Sequence, residues 1–167
     1  MSRRCGGAAR GLAPLLLAVL LAGPAGAASW GALTPGETSR KDVEARYGRP
    51  TRERVLVEEG RTVPEWTYAG ERAPRGLDRM VISFGFIGPQ GFTPDVVRAI
   101  TLYPKPRVFT VEAIANGWGT PDAVATEDQT GRSALRYERL GLLIIMDRTA
   151  SWAEMLLFAP AQPAPKP

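Results

Sequence analysis

Apolar and polar residues recur along this chain with two periods, one helical and one of strands. In TSRKDVEARYG, Thr38 to Gly48, the apolar positions Val43 and Tyr47 lie one turn apart on one face of a short predicted helix. Thr38 or Ser39 can cap it, because a hydroxyl there accepts a hydrogen bond from a free N–H of the first turn. Ser39 with Asp42 three residues on resembles a capping box. Gly48 suits a left-handed stop, and Pro50 forbids continuation. The pattern returns in TVEAIANGWG, with Thr110 as the cap, Ile114 and Trp118 one turn apart, Gly119 as the stop and Pro121 beyond it. Gly119 lies 71 residues after Gly48, and Pro121 lies 71 after Pro50. Gly117, inside the last turn, costs this helix about 1 kcal/mol relative to alanine.

After each helix the period changes to two. RERVLVEEGRTVPEWTYAG reads as a hairpin turning near Glu59–Gly60, and DAVATEDQTGRSALRYERLG as another turning near Thr130–Gly131. At the same offset of 71, Trp66 falls on Tyr137 and Gly70 on Gly141. Two further strands follow in each stretch, RMVISFGF with VVRAITLYP, then LLIIMD with WAEMLLFAP. They close at Pro104 and Pro160, only 56 apart, so the second stretch is shorter by 15 residues, mostly at the loop IGPQGFTPD. The expected fold is α+β: a tandem repeat of a short helix followed by a four-stranded antiparallel meander, with the helices on one face of the sheets. Residues 28–104 form the first repeat and 105–160 the second. A single unit of about 60–70 residues is marginal alone, whereas two packed together share a core. The proline-rich tail 161–167 is expected to be disordered.

The N-terminal stretch changes the charge picture. Arg3, Arg4 and Arg10 precede the apolar run GLAPLLLAVLLAG, and AGA at Ala25–Ala27 supplies the small residues of a signal-peptidase site. Residues 1–27 therefore read as a secretory signal cleaved after Ala27. The apolar run is short of the ~20 residues a spanning helix needs. Three of the chain's 21 basic residues leave with it, so 18 face 17 acidic ones. Charges of both signs are interspersed, and no nucleic-acid partner is expected. RPTRER, with Glu53 between its arginines, reads as a solvated strand edge.

The chain has no histidine, and Cys5, its only cysteine, lies in the signal. That removes Ser–His–Asp and Cys–His nucleophiles and the usual structural zinc sites. Glu58–Glu59 reads as a solvated hairpin tip, since consecutive strand residues point to opposite faces, and Glu127–Asp128 reads the same way. GFIGPQGF has glycines at 85, 88 and 91, but a strand follows it rather than the helix a phosphate-cradling loop requires. It reads as a long hairpin loop with Phe86 or Phe92 at its tip. No catalytic residue, cofactor or metal is expected.

Strand alternation then separates two faces. Ile82, Phe84, Phe86, Ile100 and Leu102, with Trp66 and Tyr68, make a helix-facing core. Thr67, Ser83, Thr101 and Tyr103 face the other way. In the second stretch Leu156 and Phe158 take core places, which leaves Met155 and Leu157 outward, and LLIIM (Leu142–Met146) is apolar on both faces. Such a strand is expected to be covered on both sides. Cover from within the chain, for instance by the segment containing Trp30, is the expectation. The sharper alternative is a protein-binding surface formed by Tyr103, Arg136, Met155 and Leu157, since aromatic residues and arginine are common interface anchors. Tyr47 and Trp118 read as plugs holding each helix end on its sheet.

LTPGETSRKDVEARYGRPTRER, followed by EWTY, resembles the BamE-like outer-membrane assembly lipoproteins. The shared pattern is Gly–x–Ser/Thr, a valine-bearing short helix, Gly–x–Pro, then a Trp–x–Tyr strand. The tandem arrangement is similar to that of the secreted beta-lactamase inhibitor proteins, which join two helix-plus-sheet units. The resemblance covers most of Leu33–Pro160. Ala27–Ala28 stands where a lipoprotein carries its cysteine, so no lipid anchor is expected. The resemblance implies a non-enzymatic, exported protein of the bacterial envelope that binds another envelope or secreted protein, as an assembly accessory or an inhibitor. A small-ligand or lipid-binding module, and a carboxylate-dependent enzyme acting on cell-wall polymers, are the alternatives. The oligomeric state is left open.

Overall fold

Helix α1 spans Arg40–Tyr47 because its first turn is closed by side chains. The Ser39 hydroxyl accepts from the Asp42 amide, and the Asp42 carboxylate accepts from the Ser39 amide. The Ser39 hydroxyl also donates to the Asp42 carboxylate, and this bond, followed by that from the Ser39 amide, holds the Asp42 carboxyl below its ordinary range. Helix α2 spans Val111–Trp118 and is capped by Thr110, which accepts from the Ala113 amide. These elements belong to a computed structural model that describes residues 27–127 and 130–161. The expected signal (Ala27 apart), the expected tail (Ala161 apart) and Asp128 lie outside the described residues.

The helix ends differ from expectation in one respect. Gly48 and Gly119 follow the helices at φ 70°, ψ −161° and φ 75°, ψ −149°. That is not the left-handed helical well but the neighbouring region that glycine alone enters readily. Each glycine amide still bonds back into its helix, to the Glu44 and Ala115 carbonyls. Each glycine carbonyl also accepts from a buried tyrosine hydroxyl, Gly48 from Tyr68 at 3.0 Å and Gly119 from Tyr137 at 3.1 Å. Tyr68, not Trp66, is therefore the residue that performs the role of Tyr137. Burial, then the nearby Glu44 and Glu53, pushes the Tyr68 hydroxyl up to about 12.

Eight strands follow the period-two stretches: β1 Arg52–Glu58, β2 Arg61–Ala69, β3 Leu77–Gly88, β4 Gly91–Pro104, β5 Ala123–Thr126, β6 Ser133–Tyr137, β7 Leu142–Met146 and β8 Ala153–Phe158. Glu59 and Gly60, at φ 50° and 75°, make the two-residue turn that suits the twist of a hairpin. The expected long loop at IGPQGFTPD does not form. Pairing continues through Ile87↔Phe92 to Gly88↔Gly91, so only Pro89 and Gln90 turn. Register shifts near Phe84 bend this hairpin. The Phe92 ring then lies over Gly85, and Phe86 lies beside Gly36. Neither ring projects from a loop tip.

The larger correction concerns architecture. The chain is not a tandem of helix-plus-meander units with sheets of their own. Its described residues form a single eight-stranded antiparallel sheet, ordered β1-β2-β3-β4-β8-β7-β6-β5, on which two short helices rest. The seam is β4 against β8, with Ile100 opposite Phe158, Thr101 opposite Leu157 and Leu102 opposite Leu156. An exposed strand edge leaves a row of backbone groups without strand partners, and joining two edges removes that liability. The core lies between one face of this sheet, the helices and the N-terminal segment. Val43 and Ile114 come from the helices, and Met80, Ile82, Phe84, Ile144, Leu156 and Phe158 from the sheet. The segment at Ala28–Leu33 crosses to the far half, where the Ala28 amide bonds the Leu140 carbonyl and Trp30 packs against Phe109 and Phe158. Tyr47 packs on Tyr68, and Trp118 on Phe109 and Phe158.

The turn between β7 and β8 is organised by Asp147, which is only 5% exposed. Its carboxylate accepts from the Thr149 hydroxyl and from the amides of Thr149, Ser151 and Trp152. Burial pushes this carboxyl up, but the four hydrogen bonds outweigh burial and hold it at about 2, below its ordinary 3.8. The folded chain thus takes up this proton less readily than the unfolded chain. The contribution is fully present above the ordinary carboxylate range and fades as pH falls from about 4 to about 2. Asp147→Asn is expected to lower stability at neutral pH, with the gap to wild type closing through that window. Urea midpoints of both proteins between about pH 6 and about pH 2 check it.

Candidate functional site on the open face of the sheet

The sheet has a second face, and among the described residues no helix or segment is laid across it. Antiparallel register brings one residue from each strand into a line across this face. Reading from β6 to β1, Arg136 opposes Leu143, Leu143 opposes Leu157, Leu157 opposes Thr101, and Thr101 opposes Val81. Val81 opposes Thr67, and Thr67 opposes Arg52. An arginine stands near each end, apolar residues fill the β8–β7 part, and small polar residues fill most of the β4–β2 part.

The four residues expected to form a protein-binding surface share this face. Leu157 pairs directly with Thr101, and Arg136 stands two strands away beyond Leu143. Met155 follows Leu157 at the next outward position and pairs with Ile145. Tyr103 holds the corresponding position on β4, opposite Arg79. Leu143, Ile145, Met155 and Leu157 are each half-buried, screened by their neighbours in the sheet. Among the described residues the cover expected from within the chain is not found: Trp30 lies on the helix side, against Phe109 and Phe158. Arg136, Leu143 and Leu157 line a shallow, mostly apolar groove of about 310 Å³ that runs to Pro160.

The other half of the face carries a feature that local reading treats as a solvated edge. Arg52 and Arg54 alternate to the same side of β1 and line a hollow of about 290 Å³ with Arg79, Glu65, Thr67, Ser83, Thr101 and Tyr103. Glu65 is 9% exposed and accepts from Arg54 Nε at 2.6 Å. That bond raises the already high pKa of Arg54. The Arg79 guanidinium sits 4.0 Å from the centre of the Tyr103 ring, a close cation–π contact. The alternation of Arg52 and Arg54 was visible in the sequence. Their meeting with Arg79 was not, because it depends on the register of three strands.

Gly48, Pro50, Gly119 and Pro121 lie at the helix ends, on the other side of the sheet's packed layer, and touch neither hollow. Glu58 and Glu59 do share a hollow, of about 520 Å³, with Arg61, Val63, Phe92 and Arg98. Arg98 grips Glu58 through both terminal nitrogens, at 2.6 and 3.3 Å, and holds its carboxyl below the usual range. A carboxylate held ionised in this way is a poor proton donor at neutral pH. Among the described residues, no group of three or more His, Cys, Asp or Glu side chains is arranged to hold a metal ion.

No protein-family model matches the chain, and no curated protein matches it. One solved structure is similar, that of a DUF4309 family protein from Bacillus subtilis. It is 16% identical, the likeness covers 78% of this chain and 83% of that one, and the TM-score is 0.48.

Proposed function

We propose that the protein is an exported component of the bacterial cell envelope that works without catalysis, by binding another protein on the open face of its sheet. One observation carries this reading: Leu143, Ile145, Met155 and Leu157 line up on a face that no described segment covers, flanked by Tyr103 and Arg136. Soluble proteins seldom leave a contiguous apolar patch of several side chains without a use for it. Aromatic residues and arginine at its margin are the types that anchor protein interfaces. Export is supported by the basic start, apolar run and small residues of the first 27 positions. The resemblance of LTPGETSRKDVEARYGRP and EWTY to BamE-like proteins supports a role in envelope assembly, with inhibition of a secreted enzyme as the related possibility.

Met155→Asp combined with Leu157→Asp places two carboxylates in the centre of this patch. A partner recovered from envelope extracts by the wild-type chain is expected to bind the double variant about 100-fold more weakly. Circular dichroism and the urea midpoint establish that the variant is folded. Undiminished affinity in a folded double variant sinks the surface.

A further inference from the structure

We propose that the arginine-lined hollow beside the apolar groove is a carboxylate-binding subsite, which takes acidic side chains of the same partner whose apolar residues cover Leu143 and Leu157. The inference rests on reading the open face as a protein-docking surface, and it adds the chemistry of the partner.

The argument begins with charge. Arg52, Arg54 and Arg79 line the hollow against one carboxylate, Glu65. Glu65 engages Arg54 through Nε, and among the described residues the terminal nitrogens of Arg54 donate no hydrogen bond. Neither Arg52 nor Arg79 has an ion-pair partner among the described residues. The excess of positive charge is therefore local. Past the expected signal the chain is nearly balanced, with 18 basic and 17 acidic residues, so general basicity does not account for it.

Geometry adds the class of anion. Guanidinium groups present planar pairs of donors that match carboxylates, and Arg79, held over the Tyr103 ring, donates no side-chain hydrogen bond among the described residues. Arg52 is in line with Val81 two strands away, and Arg79 stands two residues further along β3, so the roots of Arg52 and Arg79 are about 12 Å from each other. That spread suits two or more carboxylates along a segment better than one compact phosphate. Finally, the hollow and the apolar groove touch at the seam, where Thr101 of the first pairs with Leu157 of the second. One strand spacing, about 4.8 Å, separates them. A partner segment with acidic residues next to apolar ones meets both at once.

Titration calorimetry of the full chain at low ionic strength, with a hexaglutamate peptide, a hexaglutamine peptide and inorganic phosphate, tests the subsite. Hexaglutamate is expected to bind, to weaken with added salt, and to lose roughly tenfold in affinity in Arg79→Gln and more in Arg52→Gln/Arg79→Gln. Both sites are exposed, and Arg79→Lys serves as a control that keeps the charge. Hexaglutamine binding equally well, phosphate binding as tightly as hexaglutamate, or an unchanged affinity in the folded double variant would each overturn the proposal. The captured envelope partner is expected to bind Arg52→Gln/Arg79→Gln more weakly, and to lose its salt sensitivity. An unchanged partner affinity would also overturn it. The two readings fail separately: hexaglutamate reports on the arginines alone, whereas Met155→Asp/Leu157→Asp judges the docking surface by the partner.

Discussion

Gly141→Ala is expected to destabilise the protein by about 2–5 kcal/mol, through two separable effects. Gly141 has φ 65° and ψ 29°, the left-handed conformation in which a side chain costs about 1–2 kcal/mol. The second effect is a collision. A Cβ at this position would sit 2.2 Å from the Ala159 carbonyl oxygen and 2.8 Å from backbone atoms of Pro160. No side-chain rotation relieves it, because the obstructing atoms are main chain. The Ala159 amide also donates to the Gly141 carbonyl at 2.8 Å, which ties the two segments together. The end of β8 must therefore move, and with it the pairing of Phe158 with Leu142. Gly131→Ala is the matched control: Gly131 has φ 67°, and among the described residues nothing lies within 4 Å of its Cβ position, so the conformational cost is what remains. Urea titrations of both variants measure the difference, and equal losses would show that β8 yields without cost.

Phe158→Ala is expected to cost about 3–5 kcal/mol, the range for truncating a fully buried aromatic side chain. Phe158 has no exposed surface. It stands at the seam, opposite Ile100 on β4 and opposite Leu142 on β7. Its ring lies 6.5 Å from that of Trp30 and 6.3 Å from that of Trp118. The cavity therefore opens where the N-terminal segment, α2 and both halves of the sheet meet. The loss should appear as a lower melting temperature and as faster amide exchange on both sides of the seam. Val124→Ala, at an exposed position of β5, should change stability by less than about 0.5 kcal/mol. Exchange that accelerates only in β5–β8 would mean that the two halves unfold separately.

The helices and hairpin turns were legible because each depends on neighbours a few positions away. Ser39 meets Asp42, Val43 follows a turn later, and Glu59–Gly60 closes a ladder between adjacent strands. The outward placement of Tyr103, Arg136, Met155 and Leu157 was legible for the same reason, since alternation is local. The equivalence of Trp66 and Tyr137 failed because a constant offset in sequence takes no account of which hydroxyl reaches a helix-end carbonyl; Tyr68 does. The loop expected at IGPQGFTPD failed because its glycines and prolines signal turns. The rings of Phe86 and Phe92 instead lie against glycine positions and keep the ladder running to Gly88–Gly91.

Hydrophobic spacing thus sufficed to place elements, faces and candidate anchors along the chain. It could not show that β4 and β8 join, which turns the expected units into one sheet, nor that Arg52, Arg54 and Arg79 line one hollow. Periodicity records only which side of its own strand a residue takes. Which residues become neighbours across strands is set by edge pairing and register, and these are decided when backbone groups more than 50 residues apart, such as those of Thr101 and Leu157, satisfy one another.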